Sequence, residues 1–294
     1  MSHPVFIVGH PRSGTSILYR TLQKHSSFRG KKINLQETNL FCPAFAGLKF
    51  LGEPDKALLH YMMGDLSLYK LLQKKVYPSS VFQKFLRKIP KSSGLCDKSI
   101  LLWKAALNPI IIRKYFLFAQ KARGCKRLVE KTPTHINQIG RIFSLYKNAK
   151  VLIIIRHPVH TFSSIVRRAK IQSKIKWNVE PKNFIKTYRR NHLIALDKLA
   201  ESPGKVKTVL YENFVKIPDE EFKSICKFLS ENYEEDPILE GEESLKYWKP
   251  DPALAKPISQ KTKNWNDFIS HEDCRFIERN LQDVMEKYGY QSEC

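Results

Sequence analysis

Short apolar runs alternate along this chain with longer stretches in which apolar residues recur every three or four positions. Pro4–Val8 is the first run, and it leads through a glycine-bearing loop into Ser13–His25, where Ile17, Leu18 and Leu22 fall at helical spacing. Arg127–Val129 precedes a helical pattern from Thr134 to Tyr146, with Ile136, Ile139, Ile142, Phe143 and Tyr146 along one side. Val151–Ile155 is an unbroken run of β-branched residues and leucine, as a strand covered on both faces requires. Pro158 then suits the first turn of the next helix. Val206–Tyr211 predicts a further strand, Asp219–Leu229 a helix, and Ser270–Tyr288 a closing amphipathic helix.

Strands alternating with helices predict an α/β fold, a central parallel sheet flanked by helices. Ligands of such sheets bind beyond the carboxyl ends of the strands. The stretches Gly9–Ser16, Glu130–Pro133, Arg156–His160 and Glu212–Phe214 are therefore expected to face one cleft. From Asn39 to Lys126 the rhythm changes to a mainly helical, amphipathic and basic pattern, broken early by Gly47, Gly52 and Pro54. We read it as an insertion on the acceptor side of the cleft, within one domain spanning residues 1–294.

Charge narrows the ligand class. Fifty-one Lys and Arg residues against 28 Asp and Glu give a formal charge of +23 in 294 residues. Such a chain attracts anionic ligands, acidic membrane faces or nucleic acid. No zinc finger, helix-turn-helix or RNA-recognition signature accompanies the charge, which argues against a specific nucleic-acid partner. No secretory leader is visible, nor a run of about 18 apolar residues that would span a membrane. A cytoplasmic location is expected, with peripheral contact to a membrane surface compatible with the charge. Cys42, Cys96, Cys125, Cys226, Cys274 and Cys294 form no C-x-x-C pair and have no histidine at metal-ligand spacing. Free thiols, and no metal, are the expectation.

The loop "GHPRSGTS" (Gly9–Ser16) carries the candidate chemistry. A strand–loop–helix gathers backbone N–H groups and a helix N-terminus about one point, which suits a phosphate. Pro11, Arg12, Ser13, Gly14, Thr15 and Ser16 supply the turn, a guanidinium fork and three hydroxyls. The glycine spacing is that of a nucleotide P-loop, but Thr15 stands where the catalytic lysine would be. The run Val151–Ile155 ends in Arg156, where a magnesium-binding aspartate would be needed. Both departures weigh against a nucleotide kinase or NTPase, the main rival reading. A basic nucleic-acid-binding protein is the second rival.

On these residues the chain resembles sulfotransferases that use 3′-phosphoadenosine-5′-phosphosulfate (PAPS). "PRSGT" is similar to their 5′-phosphosulfate loop, and "VLIIIRHPVHTFSS", with Arg156 and Ser164 eight apart, to their 3′-phosphate motif. "VEKTP" (Val129–Pro133) is similar to the lysine-bearing loop of the carbohydrate and tyrosylprotein members. "LYENF" (Leu210–Phe214) and "KTKNW" (Lys261–Trp265) are weaker matches. The resemblance runs from Val5 to about Trp265, outside the insertion.

It implies PAPS as donor, 3′,5′-ADP (PAP) as product and no required metal; with no leader or membrane span visible, a small-molecule or lipid acceptor is expected. It also implies that Arg12 and Lys131 stabilise the leaving phosphate, while Arg156 and Ser164 clasp the 3′-phosphate. Tyr211, Lys263 and Trp265 are further nucleotide-binding candidates, although packing accounts equally for the two aromatic residues. For the base, Glu37 in "QETN" aligns with the glutamate of tyrosylprotein sulfotransferases, and His135 is the competing candidate. Glu130 is expected to order the loop by pairing with a nearby cation. His10 and His157 flank the anion loops.

Overall fold

The structure, a computed structural model, describes residues 3–30, 38, 41, 112–113, 115–171, 179–235 and 264–294. Glu37, Lys263 and most of the expected insertion lie outside these residues.

Four parallel strands form the sheet among the described residues: β1 (Val5–Gly9), β2 (Val129–Lys131), β3 (Lys150–Ile155) and β4 (Val206–Leu210). Their order is β2-β1-β3-β4. Val5 pairs with both Val129 and Lys150, Gly9 with Ile154, and Ile155 with Leu210. The chain leaves β1 for one side, then returns across it to build the other. The strand order thus reverses between β1 and β3, and the crevice at such a reversal is where open α/β sheets hold their ligands. Gly9 and Arg156 lie at the two strand ends that meet there.

Helices follow the strands. They are α1 (Thr15–Lys24), α2 (Ile139–Leu145), α3 (Pro158–Ile171), α4 (Pro181–Glu201), α5 (Tyr211–Lys216), α6 (Pro218–Leu229) and α7 (His271–Lys287). A 3-10 helix, Pro133–Gln138, leads into α2, so the pattern predicted over Thr134–Tyr146 is split by its first, tighter turns. The strand expected at Arg127–Val129 begins two residues later, at Val129. The Ser270 hydroxyl accepts the Asp273 N–H at 3.0 Å and starts α7 one residue after the expected position.

Strand residues alternate between two apolar layers. Phe6, Val8, Val151, Ile153 and Ile155 pack with Phe116, Ile136, Ile139 and Ile142. Val5, Ile7, Leu152 and Ile154 pack on the other face with Leu18, Leu22, Phe222 and Ile225. Each such side chain contributes about 1.5–3 kcal/mol when fully buried, so the sheet is held from both sides and its strand ends are rigid supports. A third cluster, with Val159, Phe162, Phe184, Tyr188, Ile277 and Leu281, joins α3, α4 and α7.

One cysteine expectation is corrected. Cys274 in α7 and Cys294 form a disulfide with Cα atoms 6.3 Å apart, while Cys125 and Cys226 are buried free thiols. The C-terminal segment folds back along α7, and that tertiary approach leaves no short-range signature in the sequence. No helix among the described residues is long and apolar enough to cross a membrane.

Candidate active site at the strand ends

β1 ends in a loop whose backbone packs tightly against its neighbours. Gly9 lies against the neighbouring strand, so that a Cβ there would stand 2.5 Å from the Ile154 carbonyl oxygen. Arg12 and Gly14 adopt left-handed conformations, with φ of 72° and 100°. The Ser13 N–H donates to the His10 carbonyl at 3.1 Å and closes the turn. Gly14 is the N-cap of α1 and offers no side-chain cap. The helix therefore presents first-turn amides that have no intrahelical acceptor, beside the positive end of its dipole. Ser13 is fully buried, and its Oγ has no hydrogen-bond partner. Pro11, Arg12 and Ser16 are partly exposed and Thr15 is buried.

The end of β3 is built differently. Arg156 extends its NH1 to the Arg12 carbonyl at 3.3 Å and places its guanidinium 4.4 Å from the centre of the Tyr211 ring. Its Nε is buried and unpartnered. Its carbonyl accepts the Tyr188 hydroxyl at 2.5 Å and the Thr161 hydroxyl at 3.3 Å, so α4 and α3 brace the strand end. Burial lowers the Arg156 pKa; Tyr211 and the Glu212 carboxylate raise it in part, and Arg12 and Arg167 lower it further. Ser164, in α3, accepts the Arg12 Nε–H at 3.3 Å. The two loops that the sequence singled out are therefore joined by two hydrogen bonds.

Tyr211 supports the loop from the far side. A Cβ on Gly14 would stand 2.3 Å from its Cδ2, so the tyrosine ring occupies the space that glycine leaves open. Tyr211, expected as the last residue of a strand, instead begins helix α5, and β4 ends at Leu210. Glu212 receives the His157 backbone N–H and the Tyr290 hydroxyl, each at 2.9 Å.

At the end of β2, Lys131 is 1% exposed, beside Glu130, which is wholly buried. Among the described residues Glu130 has two hydroxyls and a histidine as its partners. Its Oε1 accepts the hydroxyls of Thr38, at 2.7 Å, and Thr132, while its Oε2 faces His135 Nδ1 at 3.2 Å. His135 is fully buried, with its Nε2 accepting the Phe41 N–H at 3.3 Å. That acceptor role puts the ring proton on Nδ1, directed at the carboxylate.

Trp265 is 5% exposed within the third apolar cluster, edge-on to His271 at 5.0 Å, and its carbonyl accepts the Ser163 hydroxyl. Packing, the alternative weighed for this residue, accounts for its burial. His10 is buried and its pKa falls to about 4, chiefly because burial disfavours the imidazolium. Its Nδ1–H donates to the Pro11 carbonyl at 2.9 Å, which holds the loop from behind. Burial likewise lowers the pKa of His157.

One supporting residue was missed in the sequence: Tyr188, which braces the Arg156 carbonyl, left no signal because α4 as a whole was not anticipated.

Comparison with known proteins gives the family and the fold. A family model described as the sulfotransferase family matches residues 4–235. The omega-hydroxy-beta-dihydromenaquinone-9 sulfotransferase Stf3 of Mycobacterium bovis is 22% identical over 318 residues, covering 98% of this chain and 75% of its own length. Among solved structures, the sulfotransferase domain of the Synechococcus PCC 7002 olefin synthase superposes with a TM-score of 0.64 at 18% identity, covering 99% of this chain and 97% of the other. The sulfotransferase domain from the curacin biosynthetic pathway gives 0.63 at 18% identity, covering 99% of both chains. At these identities the structural likeness carries the fold.

Proposed function

The chain belongs to the sulfotransferase family, and on that premise we propose that it transfers a sulfuryl group from PAPS to a hydroxyl or amine of a small-molecule or lipid acceptor, releasing 3′,5′-ADP. The observation that carries this reading is the pair of cation-bearing strand ends at the β1/β3 reversal, where Arg12, Arg156 and Ser164 touch one another. A donor with anions on two separate positions of one ribose suits such a pair. A triphosphate with magnesium has no aspartate to meet it at the end of β3.

In this reading the first-turn amides of α1, together with Ser13, Thr15 and Ser16, hold the 5′-phosphosulfate end. Arg156 and Ser164 hold the 3′-phosphate, and the Tyr211 ring backs both the guanidinium and the loop. PAPS supplies a sulfur that the acceptor oxygen or nitrogen attacks as the bond to the 5′-phosphate oxygen breaks. Negative charge gathers on that leaving oxygen, and Arg12 and Lys131 are the cations assigned to meet it. Because they stand in the protein, no metal is needed for that task.

The acceptor must lose a proton, and we assign that proton to Glu37. Support comes from its neighbour: Thr38 is buried and anchored to Glu130, the residue beside Lys131. His135 is the weaker candidate, since its Nε2 lone pair already receives the Phe41 N–H and its Nδ1 faces Glu130. We give it the role of fixing the Glu130 carboxylate, which in turn holds Thr38 and Thr132. The relatives' names concern a menaquinone and biosynthetic pathways for small molecules, which favours an acceptor of that class.

Ligand preference tests the reading. In the presence of a chelator, 3′,5′-ADP should raise the unfolding temperature of the full chain, while ATP with magnesium should not do so more strongly. Stabilisation by ATP–magnesium alone would reject the PAPS assignment. With labelled PAPS and an acceptor found by screening metabolite extracts, Glu37→Ala should lower kcat at least about 100-fold, the scale of a lost general base. Full activity with an unchanged pH profile would remove Glu37 from that role.

A further inference from the structure

A second cluster of chemistry-bearing side chains begins at the residue after Arg156, and the proposed transfer does not use it. His157 follows β3, His160 lies in the first turn of α3, and Glu293 belongs to the C-terminal segment. One ligand-type atom from each lies within 4.8 Å of the other two. His160 Nε2 stands 3.0 Å from Glu293 Oε1, and the two imidazole rings meet at 5.5 Å between centroids. From these residues we infer a site for a borderline transition-metal ion of the zinc class, bound by His157, His160 and Glu293, which fastens the C-terminal segment to the start of α3.

The state of His157 argues for a ligand and not only for packing. It is 3% exposed, its Nε2 faces the Gln291 carbonyl at 3.0 Å, and its Nδ1 is buried with no partner. A ring nitrogen donating to a backbone carbonyl fixes the tautomer and leaves the other nitrogen as a lone-pair donor. This is how metal-bound histidines are ordinarily oriented. The buried Nδ1 otherwise bears the cost of an unmet polar atom.

Two imidazoles and one carboxylate favour zinc, cobalt or nickel over magnesium or calcium, which prefer all-oxygen shells. Bonds of about 2.0–2.2 Å place tetrahedral ligand atoms about 3.3 Å apart. The His160–Glu293 pair already meets that separation, and rotation of these two partly exposed side chains closes the remainder. Glu293 is held in place by its own backbone N–H, which donates to Glu278 at 2.7 Å, and by the neighbouring Cys274–Cys294 disulfide. Water would complete the coordination.

The test uses the tag-free full chain, stripped with a chelator, dialysed and kept oxidised, with Co²⁺ alone as the probe. One equivalent of Co²⁺ should bind, giving visible d–d bands without thiolate charge-transfer bands, and Zn²⁺ should displace it. His160→Ala and Glu293→Gln, at residues outside the proposed transfer site, should each weaken binding about 10–100-fold while the far-UV spectrum stays unchanged. Zn²⁺ should raise the unfolding temperature of the parent chain and not that of either variant. The inference is overturned if no equivalent binds, if either variant binds as tightly as the parent, or if thiolate bands appear. Thiolate bands would place the ion at Cys274 and Cys294.

Discussion

The ends of β1 and β3 lie side by side at the reversal of the sheet, yet in the proposed function they would meet an anion by opposite means. At β1 the preparation is backbone: left-handed φ at Arg12 and Gly14, a closed turn from Ser13 to His10, and a helix N-terminus. At β3 it is a side chain, the Arg156 guanidinium, held by the Arg12 carbonyl and the Tyr211 ring. A backbone cradle is sensitive to shape and indifferent to most side-chain truncation. A buried guanidinium is the reverse, since removing it deletes the charge outright.

That contrast makes ordered predictions. Gly14→Ala should do the most damage. Its Cβ would lie 2.3 Å from the Tyr211 ring at a φ of 100°, so the loop must deform, and misplacement of the donor by about 1 Å costs about 100-fold in turnover. Steady-state kinetics of the variant, compared with Gly14→Ala/Tyr211→Ala, should show partial recovery once the ring is removed. Arg156→Ala should come next, raising the KM for PAPS about 10–100-fold with a smaller change in kcat, because it removes binding more than transition-state charge. A fall in kcat with KM unchanged would move Arg156 to the leaving oxygen and erase the contrast.

Ser13→Ala should matter less, about fivefold in donor affinity by calorimetry, since one hydrogen bond is worth about 1 kcal/mol. The last prediction is read in stability against pH and leaves the strand ends untouched. Burial lowers both His10 and His192 from 6.5 to about 4. Between those values the unfolded chain binds protons more readily, so stability present above pH 6.5 is lost as pH falls toward 4. The unfolding midpoint should drop from pH 7 to pH 5, and drop less in His192→Gln.

What could be read from the sequence follows from the same physics. The strands declared themselves because both faces are buried, which leaves unbroken apolar runs such as Val151–Ile155. The candidate anion loops stood out because glycine, arginine and hydroxyls lie in consecutive positions, as shaping a backbone cradle requires. Helix α4 was not legible: its buried stripe includes Asn191 and His192 beside Phe184, Tyr188 and Ala195, and the polar members break the apolar period. The partners of Glu130 were hidden for another reason, since Thr38 lies 92 residues away and meets it only in the folded chain. The Cys274–Cys294 pair and the His157–His160–Glu293 cluster likewise depend on where the C-terminal segment turns back.

The bond from Arg156 to the Arg12 carbonyl has a consequence for which nucleotides are accepted. Neighbouring strands lie about 4.8 Å apart, and this bond locks the two loops at that separation, so the sheet acts as a gauge. If the donor is bound as proposed, a nucleotide whose phosphates all extend from one carbon would satisfy the β1 cradle and give the Arg156 guanidinium no phosphate to meet. Discrimination against other adenine nucleotides would then be a matter of interval, set by strand spacing before any contact with the base is made.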